Sequence, residues 1–318
     1  MRLRLPEYEY WPYWVFYAPF VPYWIWKSLQ IGSFSYFCRV NPGIEFGGFL
    51  DYSKSKIIEQ IPEKFKPKTQ FITSKNEIDS MPEFPFVVKP DVSERGKNVE
   101  VICSAADWEN YPIEKNLILQ EFVDYPLEFG IFYVKMPHID EGRILSITGK
   151  EFLKYKATGK STLKEFVLSN PRTTGRIEYL HQKFIEEWEI IHSKGTEILL
   201  EPIGNHNRGT RFYNASELIT RQLTKNIHEI AEGIDGFYYG RFDIKAKSVE
   251  ALKSGQFLVL EINGANSEPT HIYDSGFSLL QAYQEAMRHL DLQFEISRYN
   301  KKTYSSYHFY KAVLHRIF

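Results

Sequence analysis

Cysteine is scarce in this sequence. The 318 residues include two cysteines, Cys38 and Cys103, which lie far apart and lack the paired spacing of a zinc site or a disulfide framework. The sequence therefore predicts neither kind of site. Two isolated thiols are typical of a protein in a reducing compartment, so we expect a cytoplasmic location.

An excess of charge of one sign is also missing. Lys and Arg total 39 against 40 Asp and Glu, which gives a formal net charge of -1. A nearly neutral chain has no overall field that draws it to nucleic acid, so no nucleic-acid partner is expected. Any anion-binding site must be local.

Long apolar runs are absent as well. The opening MRLRLPEYEYW is not followed by an apolar stretch that ends in small residues, so no cleaved signal peptide is expected. The uncharged stretch from Tyr10 to Trp26 contains three prolines and is shorter than the roughly 20 apolar residues that a spanning helix needs. We do not predict a transmembrane helix.

Aromatic residues are concentrated in the first fifty residues, which hold four of the six tryptophans. These rings either pack on the rest of the protein or lie in a membrane interface, where amphipathic rings are favoured. We favour packing, because interfacial helices usually carry many more lysines. The tail from Arg298 holds five basic residues and no acidic one, which adds some weight to the alternative of membrane contact or a lipid substrate.

From residue 51 onward the sequence predicts a mixed α/β protein. Apolar runs at residues 84 to 92 and 99 to 104 read as antiparallel strands across a polar turn, and residues 116 to 123 and 127 to 136 as further strands. Strands at 237 to 247 and 255 to 264 form a pair joined by a helical or looped excursion. We also expect a helix that begins near Thr162, helices at 176 to 195, 216 to 234 and 278 to 290, and a strand at 198 to 204.

The string TGKST at residues 158 to 162 is not a P-loop. That motif needs a glycine five residues before Gly159, where this chain has Lys154. We interpret the string as a mobile lid over transferred phosphate, in which Lys160 is a candidate catalytic residue.

Asp243, Glu261 and Asn263 lie on the two paired strands and offer three oxygen ligands at one point. Mg²⁺ binds few carboxylates and completes its shell with water and nucleotide phosphates, so this set suits a magnesium-nucleotide site. Arg241 shares the face of Asp243 and could stabilise charge that develops during phosphoryl transfer. The alternative is a surface salt bridge on a strand pair.

Lys89 stands in the apolar run FVVKP, where an ammonium group is costly to bury without an anion. A phosphate would supply one, and the following loop with Gly96 could bring backbone N–H groups close to it. The alternative is a lysine that extends to water from a strand end. Gln120, Glu121 and Val123 then suit an adenine hinge, and Glu128 suits ribose hydroxyls.

The loop GNHNRGTRF at residues 204 to 212 clusters His206, Arg208 and Arg211. Bidentate arginine contacts could hold a substrate carboxylate there. The alternative is a solvated basic loop.

The order VVKPD, glycine loop, LQEFV, GRFDIK and LEING resembles the ATP-grasp superfamily, as found in D-alanine–D-alanine ligases and carboxylate-amine ligases, over roughly residues 53 to 290. The resemblance implies an α+β ATP-grasp fold with two α/β lobes that clasp the nucleotide. The divisions are an aromatic segment at 1–50 in place of a full pre-ATP-grasp domain, a small lobe at 51–125, a large lobe with the metal site at 126–292, and a basic tail at 293–318.

The resemblance also implies roles for individual residues. Lys89 and an earlier lysine, Lys54 or else Lys56, would contact ATP phosphates, and Arg241 would bind an acyl phosphate or its transition state. The remaining assignments are Gln120, Glu121 and Val123 at adenine, Glu128 at ribose, and Asp243, Glu261 and Asn263 at two Mg²⁺ ions.

The implied activity is that of a magnesium-dependent carboxylate-amine ligase, which forms an acyl phosphate with ATP and couples it to an amine. The partners would be a small-molecule or lipid-linked carboxylate and an amine. Alternatives are a kinase-type phosphotransferase of the same fold and a nucleotide-binding module without turnover. Substrate identity is not implied, because the domain that helps to bind substrate in the family is replaced here.

Overall fold

The computed structural model describes residues 8–78, 80–93, 96–202, 204, 209–300, 309–311 and 313–314. The chain forms two compact units: the first is Met1–Thr148 with Asn214–Phe318, and the second is residues 149–213. The predicted divisions at residues 50, 125 and 292 stay predictions. His206 and Arg208 lie outside the described residues.

The α+β class predicted from the sequence is confirmed by the mixture of helices with antiparallel sheets. The first unit contains a four-stranded sheet in the order β1-β4-β2-β3, in which every neighbouring pair is antiparallel. Its strands are β1 (Thr69–Ser74), β2 (Phe86–Pro90), β3 (Glu100–Ile102) and β4 (Lys115–Glu121). The predicted antiparallel partners, residues 84 to 92 and 99 to 104, are therefore confirmed as β2 and β3.

A second sheet of this unit runs in the order β11-β10-β5-β6. Its strands are β5 (Leu127–Val134), β6 (Arg143–Glu151), β10 (Tyr239–Ala246) and β11 (Leu258–Asn263). In β10, the side chains of Phe242, Ile244 and Ala246 are fully buried, as the period-two alternation of a strand requires. The intervening residues Arg241, Asp243 and Lys245 project from the opposite face.

The α-helices of the first unit include α1 (Tyr13–Tyr17), α2 (Val21–Ile31), α3 (Lys54–Ile58), α4 (Ala105–Asn110), α7 (Arg221–Glu232), α8 (Val249–Lys253) and α9 (Leu279–Tyr299). The predicted helical or looped excursion between β10 and β11 contains the short helix α8. Ser248 begins this helix by accepting a hydrogen bond from Ala251 N through its Oγ at 3.1 Å, and Leu252 anchors it by burial.

The N-terminal helices pack on α9. Phe16 and Phe20 of α1 and the following turn contact Ala282, Tyr283 and Ala286, which is the packing that the sequence favoured. Other rings of the same segment remain exposed, among them Trp14, which is 71% exposed. Within the described parts of the chain, no helix is long and apolar enough to cross a membrane.

The second unit contains β7 (Lys154–Lys156), β8 (Glu197–Leu199), α5 (Leu163–Ser169), α6 (Ile177–Lys183) and most of β9 (Arg211–Asn214). Helix α5 begins, as predicted, with Thr162, whose Oγ1 accepts a hydrogen bond from Glu165 N. The helix predicted over 176 to 195 is too long. Helix α6 ends at Lys183, since exposed Ile185, Ile190 and Ile191 supply no continuous buried face.

The two cysteines are free thiols. Cys38 is buried in the core beside Tyr36 and Phe37, and burial raises its pKa to about 12. Cys103 follows β3 and is exposed.

Candidate functional site

Two carboxylates face each other across the β10–β11 pair. The register places Asp243 opposite Glu261, and Arg241 opposite Asn263. Like charges directly opposite each other destabilise a strand pair unless cations lie close to them. Compensating positive groups are therefore required at this point. The fold places three of them there, which are Lys54, Lys89 and Arg241.

Two lysines from other elements supply part of this positive charge. Lys54 at the start of α3 places its Nζ 3.0 Å from Glu261 Oε1 and 3.0 Å from Ser93 Oγ. Lys89 of β2 donates to Leu260 O at 3.0 Å and to Gln120 Oε1 at 3.2 Å. Each lysine is only 4% exposed. The snorkelling alternative for Lys89 does not describe this buried side chain.

The structure distinguishes between the two candidate lysines near α3. Lys56 is 66% exposed and pairs with Glu45, whereas Lys54 lies beside Glu261. Helix α3 turns these side chains to different faces, because residues two apart on a helix are roughly 200° apart.

Burial and nearby opposite charges shift the pKa values of Lys89 and Glu261 in opposite directions. The pKa of Lys89 is lowered to about 8, mainly by burial and also by neighbouring Lys54, although Glu261 and Asp243 act to raise it. At Glu261, burial alone would raise the pKa, but Lys54 and Lys89 hold it below its ordinary value. Burial thus acts against the charged form of Lys89, and an anion bound beside this lysine would favour that form.

Two guanidinium nitrogens of Arg241 donate hydrogen bonds to the carboxylate of Asp243. Its Nε lies 3.1 Å from Asp243 Oδ1, and its Nη2 lies 3.1 Å from Oδ2. Asn263 Nδ2 also donates to Asp243 Oδ2 at 2.9 Å, and Tyr52 donates to Asn263 Oδ1 at 3.1 Å. Burial would lower the pKa of Arg241, but Asp243 raises it above its ordinary value, so the guanidinium stays charged.

Gly130 makes room for this arginine. It lies opposite Asp243 in the ladder with β5, and an added Cβ would stand 3.0 Å from Arg241 Cδ. Gly130 was not predicted as a site residue, although a glycine inside the strand LEFGIFYV signals a close approach of another group.

Val123 and Glu128 of the predicted nucleotide site lie beside a further lysine, Lys245, which was not predicted as a site residue. Lys245 Nζ donates to Val123 O at 2.9 Å, and Lys245 lies opposite Glu128 in the ladder. Val123, Glu128 and Lys245 are all buried. A lysine two residues after Asp243 in a buried strand was the signal that could have identified it.

The other two hinge candidates point to different neighbours. Glu121 is exposed and accepts a hydrogen bond from Lys68 N at 3.2 Å. Gln120 is buried; its Oε1 accepts from Lys89 Nζ and its Nε2 donates to Thr69 Oγ1. Gln120 therefore belongs to the lysine pair in this geometry.

The ligand set has the chemistry that Mg²⁺ prefers. Asp243, Glu261 and Asn263 offer oxygen atoms and no sulfur or imidazole, so they fit a hard cation. In the described chain, no cluster of three or more His, Cys, Asp or Glu residues could hold a metal. An ion here would therefore depend on the amide and on phosphate oxygens as well as the two carboxylates.

Lys160 and Arg211 belong to the second unit. Lys160 is exposed, and its backbone N donates to Thr158 Oγ1 at 3.2 Å. Arg211 Nη1 lies 3.1 Å from Glu151 Oε2 in an exposed ion pair, which contributes little to stability. The roles predicted for both residues stay predictions.

Comparisons with known proteins find similarity in structure only. No protein-family model matches the chain, and no curated protein matches it. A bifunctional glutathione synthetase from Pasteurella multocida is 16% identical, with 75% of this chain and 35% of that chain covered and a TM-score of 0.42.

Two further neighbours are similar at the same level. A D-alanine–D-alanine ligase from Bacillus anthracis, complexed with ATP, is 14% identical over 78% of this chain and 67% of that one, with a TM-score of 0.40. An N5-carboxyaminoimidazole ribonucleotide synthetase from Thermotoga maritima is 15% identical over 80% and 50%, with a TM-score of 0.38. These neighbours are ATP-grasp ligases, the superfamily that the motifs resemble. At these scores the likeness alone assigns neither a family nor an activity.

Proposed function

We propose that this chain is an ATP-grasp enzyme that uses magnesium and ATP to activate a carboxylate and join it to an amine. The observation that carries the proposal is the pair of buried lysines, Lys54 and Lys89, against the opposed carboxylates Asp243 and Glu261. Buried ammonium groups beside a magnesium ligand set fit a nucleotide polyphosphate, which is an anion that also brings the metal.

Each residue has a physical task in this proposal. Lys54 and Lys89 hold phosphate oxygens by charge, and Arg241 neutralises the negative charge that grows on the transferred group. Asp243, Glu261 and Asn263 would hold Mg²⁺, which screens phosphate charge when bound. Val123, Lys245 and Glu128 would line the base and ribose, with Glu121 at the rim. The chain's part is mainly positioning and charge neutralisation.

The first test is ATP binding by calorimetry with and without Mg²⁺. We expect Asp243→Asn and Glu261→Gln to weaken magnesium-dependent ATP binding by roughly tenfold or more, because each removes a charged ligand. The matched control is Asp235→Asn, an exposed carboxylate, which should bind like wild type. Wild-type protein that binds no ATP, or metal-ligand variants that bind normally, would contradict the proposal.

The second test identifies the chemistry. An acyl phosphate is captured by hydroxylamine as a hydroxamate, so a panel of carboxylates is incubated with Mg-ATP and hydroxylamine. Hydroxamate formation supports the ligase. ADP formation with phosphorylation of a hydroxyl compound would instead identify the kinase-type alternative, and magnesium-dependent binding without turnover would identify the binding module.

The proposal includes peripheral contact with lipid through the aromatic N-terminal segment. Tyr13, Trp14, Val21, Trp26 and Leu29 are exposed on α1 and α2 and carry no charge. Trp and Tyr rings are favoured at the depth of lipid headgroups. A lipid-linked carboxylate would then be delivered from the same surface.

A further inference from the structure

The aromatic N-terminal segment reaches the neighbourhood of Arg241 through Glu268. Tyr17 of α1 donates its hydroxyl to Glu268 Oε1 at 2.8 Å, and Tyr273 donates to the same oxygen at 2.7 Å. Burial raises the pKa of both phenols, and Glu268 raises it further, so both hydroxyls remain hydrogen-bond donors. One carboxylate oxygen is thus held by two neutral donors from different parts of the chain.

The backbone of Glu268 holds the arginine. Its carbonyl oxygen accepts from Arg241 Nη1 at 3.2 Å, while Nε and Nη2 of Arg241 donate to Asp243. All three guanidinium nitrogens therefore have partners. Because the guanidinium is a rigid plane, two anchors on different sides fix both its position and its tilt.

A second phenol of the N-terminal segment restrains the loop that follows Glu268. Tyr8 donates to Phe277 O at 3.1 Å and also bonds Ile272 O. Phe16 is 1% exposed and packs against Tyr273 and Tyr283, so α1 cannot shift without disturbing this loop. The restraint runs from the core packing of α1 to the residue that carries the Arg241 contact.

We propose that Tyr17 is a positioning residue for Arg241, acting through Glu268, so that the N-terminal segment completes the phosphate side of the site. The catalytic meaning of this inference rests on the proposed function. The positioning of Arg241 by Tyr17 does not rest on the proposed function. It can be measured even in protein that shows no activity.

The test follows the side-chain Nε–H signal of Arg241 by nuclear magnetic resonance, assigned by its loss in Arg241→Lys. Tyr17→Phe removes one hydroxyl and keeps the ring packing. We expect the Arg241 signal to move or broaden and its hydrogen exchange with water to accelerate severalfold. Glu268→Gln, which keeps the carbonyl but weakens the phenol bonds, should change the signal in the same direction.

The matched control is Tyr23→Phe. Tyr23 lies on α2 of the same segment and also donates to a carboxylate, that of Asp291, but this bond has no link to Arg241. The Arg241 signal should be unchanged in this variant. An unchanged signal in Tyr17→Phe, or an equal change in Tyr23→Phe, would overturn the inference.

Turnover separates the inference from the proposed function. If hydroxamate forms, Tyr17→Phe should lower kcat by roughly tenfold or more with the KM for ATP unchanged, since a misplaced arginine affects the reacting group and not nucleotide binding. Failure of wild type to bind ATP would remove the proposed function and leave the resonance experiment to decide on the positioning.

Discussion

The ammonium group of Lys89 lies in a strand that is otherwise apolar, and burial lowers its pKa to about 8. Below that pH the group carries the charge that attracts phosphate, and above it the charge is lost. A bound polyphosphate favours the charged form and so raises the pKa again. Nucleotide binding should therefore be linked to proton uptake near this pH.

We predict that ATP binding at pH 8.5 takes up a fraction of a proton and that affinity falls as the pH rises through about 8. Calorimetry in two buffers of different ionisation enthalpy measures the uptake. In Lys89→Arg the guanidinium stays charged, so the part due to this residue should vanish. Equal uptake in both proteins would assign the proton to another group.

The lowered pKa of Lys89 also makes the stability of the folded protein depend on pH. An unfolded lysine has a pKa of about 10.4, so between about 8 and that value the unfolded state binds more protons than the folded state. The contribution of Lys89 to stability should therefore rise with pH across this window.

Individual site residues were predictable where their chemistry conflicts with their local surroundings. Lys89 in an apolar run and the carboxylates on paired strands are examples, since a buried charge needs a partner. Gly130, Lys245 and Glu268 were missed because their roles depend on register and on loop packing. Whether Gly130 faces Arg241 is set by the alignment of β5 with β10, which no single strand encodes.

At the scale of single elements, α1 presents two kinds of aromatic surface. Phe16 is 1% exposed within the cluster on α9, while Trp14, two residues earlier, is 71% exposed. We predict that Phe16→Ala lowers the free energy of unfolding by about 3–5 kcal/mol, because it leaves a cavity. Chemical denaturation monitored by circular dichroism gives this value.

Trp14→Ala is the counterpart from the same helix. It should change the free energy of unfolding by less than about 0.5 kcal/mol, as expected of an exposed site. Wild-type protein should co-sediment with anionic lipid vesicles, and Trp14→Ala should lose most of this co-sedimentation. Wild-type protein that stays in the supernatant would end the lipid part of the proposal.

The elements themselves were predicted best where periodicity is strong. The strands β2, β3, β10 and β11 follow apolar runs, and α9 begins at the predicted place, with Ser278 accepting from Gln281 N. It continues beyond residue 290 to Tyr299, because Phe294, Ile296 and Ser297 find a buried face against the N-terminal segment. That continuation depends on tertiary contacts, which a local pattern does not contain.

At the scale of the whole molecule, the second unit is inserted between two residues of the first that lie side by side. Ala215 N donates to Ile147 O at 2.8 Å, so the chain leaves and returns at neighbouring points. Replacing residues 149–213 with a short glycine-serine turn should therefore preserve the first unit.

We predict that this shortened protein unfolds in one cooperative transition and keeps magnesium-dependent ATP binding, because Lys54, Lys89, Asp243 and Glu261 all lie in the first unit. Turnover should be lost if Lys160 has its predicted role. Thermal unfolding and calorimetry test the first part, and full-length Lys160→Ala is the control for the second. Aggregated or noncooperative protein would show that the units are not separable.

The contrast between the two cysteines has a practical consequence for experiments on this protein. Cys38 is enclosed and its thiol stays protonated at neutral pH, which leaves Cys103 as the accessible thiol. A maleimide dye or spin label should therefore attach at one known position, just after β3, with no engineered substitution. The native sequence thus supplies a single reporter on the sheet that carries Lys89.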